Sequence, residues 1–183
     1  VPGTVLNNTH RIESLVARGG MGEVYRATNL VTGDTVAVKT VRPEFAGDPK
    51  ISELFRREAG ALRKVHNQAV VYYEGAFFDD TGQLYIVMEF VDGPSLAHTI
   101  QSGAIAPAAV RRLRDRLAAG LAAAHAEGVI HRDLSPDNVI LPGGRLEDAK
   151  LIDFGIARQQ ATQKGGPQQT LIGSDFAGKY AYV

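Results

Sequence analysis

The chain has 183 residues, 44% of them hydrophobic, enough for one globular domain or two small lobes. Twenty Lys and Arg balance twenty Asp and Glu, so no global field argues for nucleic acid or an anionic membrane surface as a partner. There is no cysteine, hence no disulfide and no thiolate metal site, a composition that fits a reducing compartment. No apolar run approaches a membrane span and the start shows no signal-peptide pattern, so a cytoplasmic location is expected, with any membrane anchor lying downstream.

Residues 10–90 read as three strands, a helix and two more strands, with turns at Thr32-Gly33-Asp34 and at 79–82. Between the first two strands lies Val16-Ala17-Arg18-Gly19-Gly20-Met21-Gly22-Glu23-Val24-Tyr25. Glycines there would let backbone N–H groups approach phosphate oxygens without a Cβ in the way. Alone, an ordinary hairpin turn explains the run equally well. The next strand, Val36-Ala37-Val38-Lys39, alternates outward and inward and ends in a lysine aimed under that turn. Asp48-Pro49 is an N-cap followed by a first-turn proline. It opens a helix with Ile51, Leu54, Phe55, Leu62 and Val65 at helical spacing. Glu58 falls on this apolar stripe, where a carboxylate is costly unless a cation meets it. Lys39 is the candidate; a glutamate exposed at the stripe's edge is the alternative.

A strand over 84–90 runs into Val91-Asp92-Gly93-Pro94, whose glycine and proline mark a hinge. Residues 107–127 predict an Ala/Leu-rich helix with Val110, Leu113, Leu117, Leu121 and Ala124 on one face, closed by Gly128. Val139-Ile140-Leu141 and Lys150-Leu151-Ile152 predict a short hairpin around Pro142-Gly143-Gly144. It places Asn138 at one strand's start and Asp153 at the other's end, within reach of one metal. Residues 159–169, polar and aperiodic, read as a loop. Two motifs carry the chemistry: His131-Arg132-Asp133-Leu134-Ser135-Pro136-Asp137-Asn138 and Asp153-Phe154-Gly155. Phosphoryl transfer from a nucleotide needs a carboxylate to orient the attacking hydroxyl, oxygen ligands for Mg²⁺ and positive charge on the phosphates. Asp133, Asn138 and Asp153 are the right types in the right order for the first two.

These motifs resemble those of protein kinases, over about residues 12–183. The wording of Gly19-Gly20-Met21-Gly22-Glu23-Val24-Tyr25, Phe55-Arg56-Arg57-Glu58-Ala59 and Asp153-Phe154-Gly155-Ile156-Ala157-Arg158 is most similar to that of bacterial eukaryotic-like Ser/Thr kinases. The resemblance implies an α+β, two-lobe fold: a β-rich N-lobe over 1–90 with one main helix, a hinge at 91–94, and an incomplete helical C-lobe over 95–183. It implies ATP and Mg²⁺ as cofactors, and transfer of the γ-phosphate to Ser/Thr hydroxyls of a protein substrate. Asp133 would be the catalytic base, and Asn138 and Asp153 would hold Mg²⁺. Lys39 would grip the α- and β-phosphates, oriented by Glu58. Ala17, Arg18, Gly19, Gly20, Met21, Gly22 and Glu23 would cover the phosphates. Val16, Val24, Ala37 and Ile140 would sandwich the adenine, with Met88 as gatekeeper and the backbones of Glu89 and Val91 hydrogen-bonding the base. His131 and Phe154 would join an internal apolar stack. The other four histidines show no ligand spacing.

The chain departs from the pattern in several places. Ala17 replaces the first glycine of the loop, and Ser135 replaces a lysine that touches the transferred phosphate. Lys179 stands in Gly178-Lys179-Tyr180-Ala181-Tyr182 where the family reads threonine, close to that missing lysine, so Lys179 is expected to return the lost charge. The chain stops at Tyr182-Val183 where an Ala/Ser-Pro-Glu motif is expected; a fragment, unstable and inactive alone, is the expectation. Arg132 is of the kind that pairs with an activation-segment phosphate; Thr170 and Ser174, closer than Thr162 to the segment that must be ordered, are favoured as autophosphorylation sites, a solvated loop without regulatory role being the alternative. Two alternatives stay open. A pseudokinase scaffold draws on Ser135 and Ala17, against the presence of Lys39, Asp133, Asn138 and Asp153. A small-molecule phosphotransferase of the aminoglycoside-kinase kind has Arg132 against it.

Overall fold

The structure, a computed structural model, describes residues 2–19, 22–41 and 49–154. The elements in order are β1 (Val5–Leu6), β2 (His10–Gly19), β3 (Gly22–Asn29), β4 (Thr35–Val41), α1 (Pro49–Leu62), β5 (Tyr73–Phe78) and β6 (Leu84–Glu89). They continue with α2 (Leu96–Ser102), α3 (Pro107–Ala126), β7 (Val139–Ile140) and β8 (Lys150–Leu151). The chain divides into two units. One takes Val1–Val65 and Val71–Val91; the other takes His66–Val70 and the chain from Asp92 onward.

The first unit is an antiparallel sheet in the order β1-β2-β3-β4-β6-β5, with α1 packed at β5. Side chains alternate across a pleated strand, so the register sorts them into two faces. The pairs Val24↔Lys39 and Ala37↔Met88 put Val24, Ala37, Lys39 and Met88 on one face. The pairs Tyr25↔Val38, Ala27↔Val36 and Val38↔Val87 put the apolar cluster on the other, joined by Ile12 and flanked by Leu6, Phe77 and Tyr85. Val36 and Val38 are fully buried there, each worth roughly 1.5–3 kcal/mol relative to exposure. Val36-Ala37-Val38-Lys39 alternates between the two faces as expected, but all four residues are buried, because both faces of β4 are covered. The turn at 79–82 forms as expected. The Asp79 carboxylate accepts from the N–H groups of Thr81 and Gln83, both at 2.9 Å. Strand β6 ends at Glu89, one residue before the expected Phe90.

In the second unit α3 buries Leu113, Gly120 and Ala124. Val110, expected on this face, is 46% exposed. Among the described residues, segments from elsewhere in this unit meet α3 at Arg116, Ala119 and Gly120. Residues 66–70 belong to this unit because Ala69 accepts from Leu151 N–H at 2.7 Å and Val70 bridges Leu151. Arg116 adds two charge-assisted bonds, Nε to Ala149 O (2.8 Å) and Nη2 to Gln68 O (3.0 Å). The predicted hairpin is the short pair β7–β8, and its connection holds two 3-10 turns, Pro142–Gly144 and Leu146–Asp148. Helix α2 was not expected from sequence. Its signals were Ser95, whose Oγ caps His98 N–H at 3.2 Å, and Gly103 at its end.

Candidate active site

The β2–β3 hairpin closes at the pair Gly19↔Gly22, with Gly20 and Met21 outside the described residues. Register shifts at Glu13 and Val16 twist β2 before it reaches the turn, and Val16 is half-exposed. Gly22 has a reason to be glycine besides phosphate approach. Its φ is +145°, and a Cβ would lie 1.9 Å from the carbonyl oxygen of Thr40. Glu23 is held in three ways. Arg18 Nε bonds its carboxylate at 2.9 Å, Tyr25 donates its hydroxyl to the same group, and Thr40 Oγ1 accepts from its N–H at 2.9 Å.

Lys39 follows Ala37 on the face shared with Val24 and Met88, and only 8% of it is exposed. An ammonium buried this far needs a carboxylate close by. Glu58, half-buried on α1 in the same unit, fits that need. Met88, expected as gatekeeper, is buried and pairs with Ala37 across β4 and β6. The N–H of Glu89 already bonds Tyr72 O at 2.8 Å, so any base contact of Glu89 falls to its carbonyl.

In the second unit His131 is 3% exposed. Its ring packs against Phe154 at a tilt of 45°, with centroids 4.5 Å apart, so the two residues expected in one apolar stack are in contact. Nδ1 lies 3.3 Å from Asp133 N–H, which makes it an acceptor; Nε2 therefore carries the proton and donates to Ile152 O at 3.0 Å. Burial holds this imidazole below its ordinary value, with the bond to Ile152 opposing. A neutral histidine with both nitrogens spent on backbone is a strut, which ties Asp133 to the strand leading to Asp153.

A second tie runs through Asn138. Its Nδ2 donates to Asp133 O at 2.9 Å, and its own carbonyl accepts from Ile152 N–H at 3.0 Å. Asp133, Asn138 and Ile152, the residue before Asp153, are thereby knit through four backbone-anchored bonds. The loop is also strained. Arg132 has φ 62° and Asp153 has φ 58°, left-handed conformations that cost a non-glycine residue on the order of 1–2 kcal/mol. Such strain persists where surrounding bonds over-determine it, typically at functional loops.

The donor set suits Mg²⁺. With Nδ2 committed to Asp133, the Asn138 amide has its oxygen left, and Asp153 adds a carboxylate; both are hard oxygen ligands. Among the described residues no group of three His, Asp or Glu forms a metal cage. Mg²⁺ needs none, since it commonly keeps waters and takes phosphate oxygens beside one or two protein ligands. Ser135, where a lysine was expected, is buried at 4% exposure, and its Oγ has no hydrogen-bond partner among the described residues. Lys179, Thr162, Thr170 and Ser174 lie outside the described residues.

The family model "protein kinase domain" matches residues 10–183, and the chain belongs to that family. Among curated relatives it is 40% identical over 155 residues to serine/threonine-protein kinase pkn2 of Myxococcus xanthus, covering 84% of this chain and 19% of that protein. It is 35% identical over 166 residues to serine/threonine-protein kinase PknH of Mycobacterium tuberculosis, covering 90% and 26%. Among solved structures, the kinase domain of M. tuberculosis PknI superposes with a TM-score of 0.74 at 28% identity, over 87% of this chain and 62% of that one. The chain thus spans about a fifth to a quarter of the length of such curated relatives. No helix among the described residues is long and apolar enough to cross a membrane.

Proposed function

We propose that this chain is the nucleotide-binding and catalytic segment of a serine/threonine protein kinase, using ATP and Mg²⁺. The observation that supports this best is the catalytic loop: Asp133, Asn138 and Asp153 joined by His131 and Ile152, with strained backbone at Arg132 and Asp153. Val16, Val24, Ala37, Met88 and Ile140 are assigned to the adenine, with hydrogen bonds from the carbonyl of Glu89 and the backbone of Val91. Residues 17–23 are assigned to the phosphates, together with Lys39, which Glu58 orients. Mg²⁺, when bound to Asn138 and Asp153, supplies neutralising charge on the phosphates.

The acceptor hydroxyl of a Ser or Thr attacks the γ-phosphorus while the bond to the β–γ bridging oxygen breaks. Its proton passes to the Asp133 carboxylate, and ADP leaves. Charge is missing where Ser135 stands, and Lys179 is assigned to replace it. The unpartnered Ser135 hydroxyl supports this assignment, because a buried hydroxyl costs about 1–3 kcal/mol unless a donor or acceptor meets it. Thr170 and Ser174 are assigned as autophosphorylation sites with Arg132 as the phosphate partner; mass spectrometry that finds both unmodified in active protein removes this part.

The test uses the full-length protein, a generic basic substrate and nucleotide titrations. Asp133→Asn is expected to lower turnover by about 10²–10⁴-fold with ATP affinity nearly intact, since the base acts only as the hydroxyl attacks. Lys39→Met is expected to lower turnover through misplaced phosphates. Wild-type protein that binds MgATP and transfers nothing points to a pseudokinase.

A further inference from the structure

We infer that Thr40 is a positioning residue, whose side chain fastens the phosphate-covering hairpin to the strand that carries Lys39. The inference rests on the nucleotide-binding role assigned above. The β3–β4 ladder has its last paired residues at Val24↔Lys39. Beyond that point the two strands would be free to splay toward the turn. They are held there by one hydroxyl. Thr40 Oγ1 accepts from Glu23 N–H at 2.9 Å and donates back to Glu23 O at 3.3 Å. Both backbone groups of Glu23 are thus served by a side chain, and the ladder is carried one residue past its backbone end.

Gly22 makes this contact close. A Cβ at Gly22 would overlap the Thr40 carbonyl oxygen at 1.9 Å and come within 3.2 Å of Thr40 Oγ1. The glycine therefore lets the hairpin lie on β4 at a distance at which the hydroxyl reaches Glu23. The Glu23 side chain is fixed independently, by Arg18 across the hairpin and by the Tyr25 hydroxyl. Glu23 becomes a node with four anchors, one residue before Val24 and directly beyond the turn. Thr40 immediately follows Lys39, so the cation that meets the phosphates and the clamp that holds the hairpin over them sit on adjacent residues of one strand. A movement of the hairpin is then a movement relative to Lys39 only if this clasp opens.

Valine is nearly isosteric with threonine and lacks both hydrogen-bonding functions, so Thr40→Val removes the clasp with little change of volume; Thr40→Ser keeps it. The full chain, in wild-type, Thr40→Val and Thr40→Ser forms, is titrated with ATP, ADP and adenosine, and amide hydrogen exchange is followed at Gly22–Val24 without nucleotide. Thr40→Val is expected to weaken ATP and ADP by about tenfold, the scale of one or two net hydrogen bonds. Adenosine, which has no phosphate for the hairpin to cover, keeps its affinity. The Glu23 amide exchanges faster in Thr40→Val, and Thr40→Ser restores both readouts. Equal weakening of ATP and adenosine would mean a general loss of fold and overturns the inference, as does unchanged exchange at Glu23. Wild-type protein that binds no nucleotide overturns the proposed function instead, and the exchange comparison still decides whether Thr40 is the clasp.

Discussion

Gly120→Ala sets two effects of known size against each other. In the interior of a helix alanine is favoured over glycine by about 0.8–1 kcal/mol. In α3, however, the added Cβ would lie 3.1 Å from Ala69 Cβ, 3.2 Å from Val70 Cγ2 and 3.3 Å from Ala69 O, inside the usual separation of about 3.5–4.0 Å. Neither neighbour can easily retreat. Ala69 and Val70 are 2% and 3% exposed, and Ala69 O holds Leu151 N–H at 2.7 Å. Overpacking of this kind costs roughly 1–3 kcal/mol, so it outweighs the propensity gain and leaves a net loss of about 1 kcal/mol. For a chain of this size that lowers Tm by about 2–4 °C. Thermal unfolding followed by circular dichroism is the assay, with Ala119→Gly on the exposed side as the reference for propensity alone. If Gly120→Ala raises Tm by the full propensity gain, the close seat of α3 on residues 69–70 is not there.

Burial holds His10 and His131 below the ordinary histidine value, so the unfolded chain takes up these protons at higher pH than the folded chain does. Their contribution is therefore present at pH 7.5 and is lost as pH falls through the ordinary histidine value of about 6.5 toward 6.0. His10→Phe flattens part of this slope in urea unfolding; equal midpoints at the two pH values would remove the argument. In full-length protein Lys179→Ala is expected to lower turnover by on the order of 10²-fold. Ser135→Lys with Lys179→Thr recovers much of it, unless the two positions are unrelated, in which case the double variant is no better than the single.

What could be read in the sequence depended on whether a residue's reason lay in its own neighbourhood. The Asp79 turn, the helix opening at Pro49 and the hairpin around Gly22 announce themselves through local chemistry, and all three formed. The candidate catalytic residues were legible because phosphoryl transfer demands certain side chains at certain spacings. The misses share another cause, which is a partner far away in the chain. Gly120 reads as a weak spot in an alanine-rich helix until Ala69 and Val70 press against it. The alternation of Val36-Ala37-Val38-Lys39 was legible, but nothing local tells that both faces of β4 are covered. Val110 keeps the spacing of a buried stripe, yet it is 46% exposed. Gly22 was expected for the sake of phosphates, while the crowding by Thr40 comes from the next strand.

The placement of residues 66–70 in the second unit bears on the order in which the chain can fold. Ala69 finds its partner Leu151 only after about eighty further residues have been made. At a synthesis rate of about 5–20 residues per second that is a wait of roughly 4–16 s. The pair Ala69-Val70, 2% and 3% exposed in the finished protein, spends that interval without β8. Strands β5 and β6 follow it directly and can join the first unit in the meantime, so an early sheet forms around an apolar stretch that has no seat within it. A nascent chain stalled before residue 150 should therefore offer this stretch to a chaperone or a protease, and lose that vulnerability once β8 is out.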